Sequence, residues 1–194
     1  MGFKISWIGF EGLNKAAALS RLSMIDTGVP DEANEAPFSM AQLPTGWTIL
    51  FENAFRYPID TSKLAALSVG TRLVACQVHE GVMFSYAIEF IDGECIWSMS
   101  HAPDEGPSDF TFAGSPPEGF EEIQMRLTAQ QAKSGGEHSD VDYIFDIPVE
   151  VAALLTGYRH DRWKFDWGEP EFTIVEGQPK PAKKSWLSQL FGGR

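Results

Sequence analysis

The chain has 194 residues, of which 43% are hydrophobic, 22% charged and 12% aromatic, and its net charge is -12. This composition excludes a disordered chain and is typical of one globular domain with a sizeable core. The acidic excess disfavours nonspecific binding to nucleic acid or to an anionic membrane, because both depend on Lys and Arg side chains.

The N-terminal part of the chain predicts two strands separated by a helix and a loop. Alternating apolar residues predict a strand over 3–10, and Asn14 is placed to cap a helix over 15–24. Glycine, proline and acidic residues predict a loop over 26–37. A second strand is expected over 38–43.

The central stretch predicts a run of strands that forms the scaffold of the fold. These strands are predicted over 48–52, 71–79, 82–91 and 94–101, with a short helix over 59–68. Asp92 and Gly93 predict a tight hairpin, since this pair readily adopts the positive φ angles of a type I′ turn. Several strands are apolar at both alternating positions, so the sheet is expected to be at least partly covered on both faces.

The C-terminal half predicts two further helices between strands. The elements are, in order, a strand over 109–113, a helix over 117–133 capped by Ser115, a helix over 149–156 and an edge strand over 171–175. Asp140, Asp142 and Asp146 lie at even spacing, as on one face of a strand. There they would chelate a hard cation or meet a basic protein surface, or simply keep an edge strand soluble.

These elements predict an α+β fold, with a largely antiparallel sheet of about six to eight strands and three to four packed helices. Residues 1–176 are expected to form one domain, and 177–194 a flexible basic linker with a short amphipathic C-terminal segment.

The C-terminal segment suggests a docking function. From Gly177 onward the chain has four basic residues and no acid. Trp186 and Phe191, with Leu187 and Leu190, would share one face of a short helix. Such a segment inserts into a groove of a partner or folds back on its own acidic body, the alternative being an ordinary fraying tail.

Histidines beside acids are the only candidates for catalysis. His101 is followed by Asp104 and Glu105 after the end of a predicted strand, and His160 precedes Asp161. A carboxylate can orient an imidazole for acid–base work or for a metal. Such neighbours are also expected by chance in a chain with 27 acids.

The segment over 158–167 is dense in charged and aromatic residues. Tyr158, Arg159, Arg162 and Trp163 are residue types enriched at binding hot spots. The alternative is a buried strand face, because Trp163, Phe165 and Trp167 alternate with charged residues.

Other chemistry lacks support. The sequence has no Gly-x-Ser-x-Gly elbow, no dinucleotide-binding glycine motif and no P-loop. Cys76 and Cys95 lie in predicted strands and are expected to be buried free thiols. No cofactor and no metal site are predicted. No apolar stretch is long enough for a membrane span and the first residues do not resemble a signal peptide, so a cytoplasmic location is expected.

The acidity, the aromatic residues and the lack of a catalytic motif favour a non-catalytic protein-binding module of a bacterial-type cytoplasm. An inhibitor or immunity-type protein that masks a basic partner surface is the specific hypothesis. The alternative is a small metal- or acid–base-dependent enzyme, or a ligand-binding domain, that uses His101 and the acidic loop after it.

Overall fold

The computed structural model describes residues 2–55, 60–102 and 109–178. Within these residues the fold is one antiparallel sheet of nine strands with four helices packed against it. The predicted α+β class is therefore confirmed, with nine strands instead of six to eight.

The sheet is built from strands that are distant in sequence. The strands are β1 Lys4–Glu11, β2 Met24–Pro30, β3 Phe38–Gln42, β4 Trp47–Glu52, β5 Arg72–His79, β6 Phe84–Ile91, β7 Glu94–His101, β8 Phe110–Gly114 and β9 Thr173–Gly177. The helices are α1 Lys15–Leu22, α2 Thr61–Leu67, α3 Phe120–Lys133 and α4 Asp146–Thr156. The strand order is β2-β9-β3-β4-β1-β5-β6-β7-β8.

Both faces of the sheet are covered, as predicted. The core on the α3 and α4 face includes Ile5, Trp7, Val74, Cys76, Trp97, Leu127, Ile147 and Val151. The core on the α1 and α2 face includes Phe10, Leu19, Met40, Leu64, Leu73, Ile88 and Phe90. Two-sided burial explains why these strands are apolar at consecutive positions.

Local signals set several element ends. Asn14 caps α1 by accepting a hydrogen bond from the backbone N–H of Ala17 at 2.8 Å, and Asp60 caps α2. Asp92 and Gly93 have φ angles of 48° and 88°, which confirms the tight turn between β6 and β7.

The predicted start of α3 is wrong. Ser115 was the expected N-cap, but its backbone N–H donates to Ile96 O at 2.9 Å, which holds the chain against β7. Gly119 then adopts a φ of 92°, and the helix begins at Phe120. This left-handed residue separates the proline-rich approach from the helix.

The predicted loop over 26–37 is wrong in its first part, and β9 is not an edge strand. Ser23 ends α1 with a φ of 54°, and the chain then enters β2, which forms the sheet edge. There β9 lies between β2 and β3. The glycine and proline of β2 suggested a loop, and an edge strand tolerates both because one side of its ladder faces solvent.

The predicted strand that carries Asp140, Asp142 and Asp146 is wrong as well. Residues 140–145 form no strand, and Asp146 is the first residue of α4. The Oδ1 atom of Asp142 accepts from the backbone N–H groups of Ile144 and Phe145 at 3.1 and 3.2 Å. This local turn redirects the chain into the helix, so the three carboxylates share no face.

Only one of the two cysteines is buried. Cys76 lies in the core, where burial raises the pKa of its thiol to about 12. Cys95 is exposed, contrary to the prediction. It lies near the β6–β7 turn, where the register between the strands shifts.

Candidate functional site

His101, the histidine that the sequence favours most as a candidate for catalysis, is fully buried in the structure. It ends β7 with none of its surface exposed. Its Nδ1 lies 2.8 Å from the backbone oxygen of Asp109, and its Nε2 lies 2.7 Å from Oδ2 of Asp142. The predicted neighbours Asp104 and Glu105 lie outside the described residues.

Both hydrogen-bond partners of His101 are acceptors. A backbone carbonyl and a carboxylate both accept hydrogen bonds, so the two ring nitrogens hold the imidazole between two fixed acceptors. Although burial opposes its charge, hydrogen bonding and attraction from His101 hold the pKa of Asp142 below its usual range. The pair joins β7 to the turn before α4, and neither ring nitrogen of His101 is left to meet a substrate.

His160 is the opposite case. It lies in the segment after α4, only 8% exposed, with the edge of its ring against Phe3 at a centroid distance of 5.0 Å. Neither ring nitrogen has a hydrogen-bond partner among the described residues. Burial lowers the pKa of His160 to about 4, since Asp161 offsets the desolvation only in part. The imidazole is therefore neutral at pH 7.

Arg159 holds this segment against α4. Its guanidinium lies 2.7 Å from Asp146, 3.5 Å from Glu150 and 2.7 Å from Asp161. Although burial opposes the charge of Asp161, the hydrogen bond from Arg159 lowers the pKa of that carboxyl. Arg159 and Asp161 thus neutralise one another, and Asp161 does not orient the imidazole beside it.

The aromatic residues of the segment divide between core and surface. Tyr158 is buried and packs edge-on against Trp7, with ring centroids 5.5 Å apart. Phe165 and Trp167 stack at 4.7 Å. Trp163 is 74% exposed, so the predicted strand face through Trp163 is wrong, and only the bridge between Phe165 and Gly168 is strand-like.

An open groove of about 1180 Å³ lies beside Trp163. It is at the end of the sheet where β1 and β9 begin and β2 and β4 end. Buried Phe51, Tyr158 and Phe172 line it together with His160. Its volume exceeds the roughly 300–1,000 Å³ of small-molecule sites, so an extended segment of chain can lie in it.

The rim of the groove is acidic. Its described carboxylates are Glu32, Glu35, Asp161, Glu169 and Glu171, against the cationic side chains of Arg162 and Lys164. The four glutamates are exposed. The rim therefore favours a cationic ligand.

The sequence prediction missed the four glutamates and Phe3, which is 40% exposed. The acids were visible as two clusters, one in the predicted loop over 26–37 and one around Pro170. Only the pairing of β2 with β9 brings these clusters together, and that pairing has no local signal.

The remaining predicted residues lie apart from the groove. Asp140 is exposed on the turn that precedes α4. Trp186 and Phe191 lie outside the described residues. Among the residues that the structure describes, no group of three or more His, Cys, Asp or Glu side chains is arranged to hold a metal ion. No helix in the described ranges has the length and apolarity needed to cross a membrane.

Comparisons with protein-family models, with curated proteins and with solved structures found no match to this chain.

Proposed function

We propose that the chain is a non-catalytic, cytoplasmic protein-binding module. It receives a basic surface of a partner protein in the acidic groove beside Trp163. An inhibitor or immunity-type protein that masks a basic enzyme or toxin is the specific form of this function.

The exposure of Trp163 carries the proposal. An indole that is 74% exposed leaves most of its apolar surface in water. The neighbouring Tyr158, Phe165 and Trp167 are packed in or against the core. The exposure of Trp163 therefore differs from that of the other aromatic residues in its segment. Exposed tryptophan beside a groove is typical of binding hot spots, because burying it removes a large apolar area from water.

The charge of the rim supports a basic partner. Four exposed glutamates line the groove with two cationic side chains, and the fifth carboxylate, Asp161, is paired with Arg159. The whole chain has a net charge of -12. Complementary charge accelerates association and selects against acidic partners. The same charge opposes binding of nucleic acid, whose phosphates would be repelled.

The arrangement of the histidines favours binding over catalysis. Both ring nitrogens of His101 are engaged with acceptors. The ring nitrogens of His160 have no hydrogen-bond partner in the described part of the chain, but its neighbour Asp161 is paired with Arg159. Neither His101 nor His160 is thus both oriented by a carboxylate and open to a substrate, as a general base requires.

Capture from the native host tests the proposal. The full-length chain, Trp163→Ala and Met125→Ala are used as baits at low and at high salt. Met125 is 67% exposed on α3, away from the groove, and serves as the matched control. We expect a protein with a basic surface to be retained at low salt by the wild type and by Met125→Ala, and much less by Trp163→Ala.

Two results would contradict the proposal. One is equal retention of every captured protein by the wild type and by Trp163→Ala. The other is stoichiometric zinc or manganese in the purified protein that is lost in His101→Ala or His160→Ala, which would favour the enzyme instead.

A further inference from the structure

The described part of the chain ends within reach of the groove. β9 begins at Thr173, which lines the groove. The strand then runs to Gly177, and the backbone N–H of Gln178 donates to Ser23 O at 2.9 Å. The start of the C-terminal segment, residues 179–194, is thus about one five-residue strand, or about 17 Å, from the groove. An extended chain of that segment's length spans up to about 50 Å, so the segment is long enough to fold back along β9 and reach the groove.

The charge of this segment complements the rim. It carries Lys180, Lys183, Lys184 and Arg194 and has no acidic side chain. The groove presents exposed Glu32, Glu35, Glu169 and Glu171. A tethered segment has an effective concentration on the order of millimolar at its own surface, so a weak attraction is sufficient to occupy the site.

The apolar groups also correspond. The segment contains Trp186, Leu187, Leu190 and Phe191, spaced as on one helix face. Beside its acidic rim the groove exposes Trp163 and 40% of Phe3. A ligand for this groove must combine cationic and apolar side chains, and the chain supplies that combination itself.

We infer that the C-terminal segment, residues 179–194, occupies the acidic groove of its own chain and is displaced when a basic partner binds. The inference rests on the proposed function, because it assigns a regulator to the same groove. Occupancy by the segment weakens the apparent affinity for a partner in proportion to the fraction of chains whose groove is free.

Zero-length carbodiimide cross-linking of the full chain tests this inference without a partner. The reagent joins a lysine amine to a carboxylate only where the two are in contact. At low salt and low protein concentration, we expect links from Lys183 and Lys184 to Glu32, Glu35, Glu169 and Glu171, identified by mass spectrometry in monomeric protein. Glu121 and Glu122, exposed on α3, are the matched control carboxylates.

Two full-length variants sharpen the test. Trp186→Ala and Trp163→Ala should each reduce the groove links at least threefold relative to the wild type, and high salt should reduce them further. Circular dichroism and thermal unfolding check that both variants keep the fold.

The inference is overturned if the tail lysines link to Glu121 and Glu122 as often as to the groove, or link to no carboxylate. It is also overturned if the groove links occur only in cross-linked dimers, since the occupant would then be a second copy. The proposed function fails separately, when partner capture does not depend on Trp163.

Discussion

The two buried histidines lie in contrasting parts of the molecule. At the end of β7, His101 has both ring nitrogens bonded and is joined to Asp142 across 41 residues of sequence. At the groove, His160 has no hydrogen-bond partner among the described residues and lies against Phe3. The first imidazole is held by two acceptors, and the second is held by apolar packing.

This contrast separates the corner at His101, where β7 is bonded to the turn before α4, from the groove at His160, which is the proposed docking site. A buried imidazole with two acceptors is a cross-link whose loss leaves a carboxylate and a carbonyl without their donor. A buried imidazole without partners is tolerated only as the neutral form. The packing of His160 therefore depends on its protonation state, whereas that of His101 depends on its two hydrogen bonds.

Removing the hydrogen bond between His101 and Asp142 should have the largest effect on stability. Asp142→Ala leaves His101 buried without its carboxylate, and we expect a loss of about 4 kcal/mol in the free energy of unfolding. Urea denaturation at pH 7 measures it. Asp140→Ala, an exposed acid two residues away, is the control and should change stability by less than about 0.5 kcal/mol. Equal losses in the two variants would contradict a cross-link at His101.

Acidification should lower the stability of the fold through protonation of His160. Because its pKa is lowered to about 4 in the folded protein, the unfolded chain binds a proton between about pH 6.5 and pH 4 that the folded chain does not. The free energy of unfolding should therefore fall by about 2–3 kcal/mol as the pH drops through that window, and this loss is complete below pH 4.

His160→Phe removes this titration and keeps a ring against Phe3. Its stability should fall less steeply than that of the wild type between pH 6.5 and pH 4, measured by urea denaturation at several pH values. His138→Ala, at an exposed histidine, is the matched control variant. An unchanged slope in His160→Phe would show that His160 is not held neutral.

Much of the sheet could be predicted because its signals are local. The Asp92-Gly93 turn and the apolar runs over β5, β6 and β7 predicted the central strands. β2 could not be predicted, since Gly28 and Pro30 favour a loop and its partner β9 follows about 147 residues later, as the bond between Thr27 and Ile174 shows.

The candidate site was less predictable for the same reason. Residues over 158–167 were singled out by composition, but composition did not reveal that Tyr158 is core and Trp163 is surface. The neighbours of His101 in sequence suggested its chemistry, whereas its carboxylate partner in space is Asp142. Long-range pairing decides both, and single-sequence patterns do not report it.

A smaller loss of stability is expected at Arg159, which holds the segment over 158–167 to α4. Arg159→Ala should cost about 2 kcal/mol, because Asp146, Glu150 and Asp161 lose a shared partner while remaining partly hydrated. Arg159→Lys should recover about half of that loss, since an ammonium cannot reproduce the fork geometry of guanidinium. Thermal unfolding compares the two with Arg162→Ala, whose exposed side chain should matter little. Equal stability of the three variants would contradict the bridging role.

The smallest effect on stability is expected at Trp163. The exposed indole contributes little to the core, so Trp163→Ala should change the free energy of unfolding by less than about 0.5 kcal/mol. A loss above about 2 kcal/mol, measured by urea denaturation, would show that the indole packs on the fold and would remove the reason to assign it to a partner.

The affinity of the captured partner for three full-length chains tests the central claim most directly. Titration calorimetry at low salt would compare the wild type, Trp163→Ala and Met125→Ala. A docking groove at Trp163 predicts a dissociation constant at least tenfold higher for Trp163→Ala, and within twofold of the wild type for Met125→Ala. Equal dissociation constants for the wild type and Trp163→Ala would contradict the assignment of the groove as the docking site.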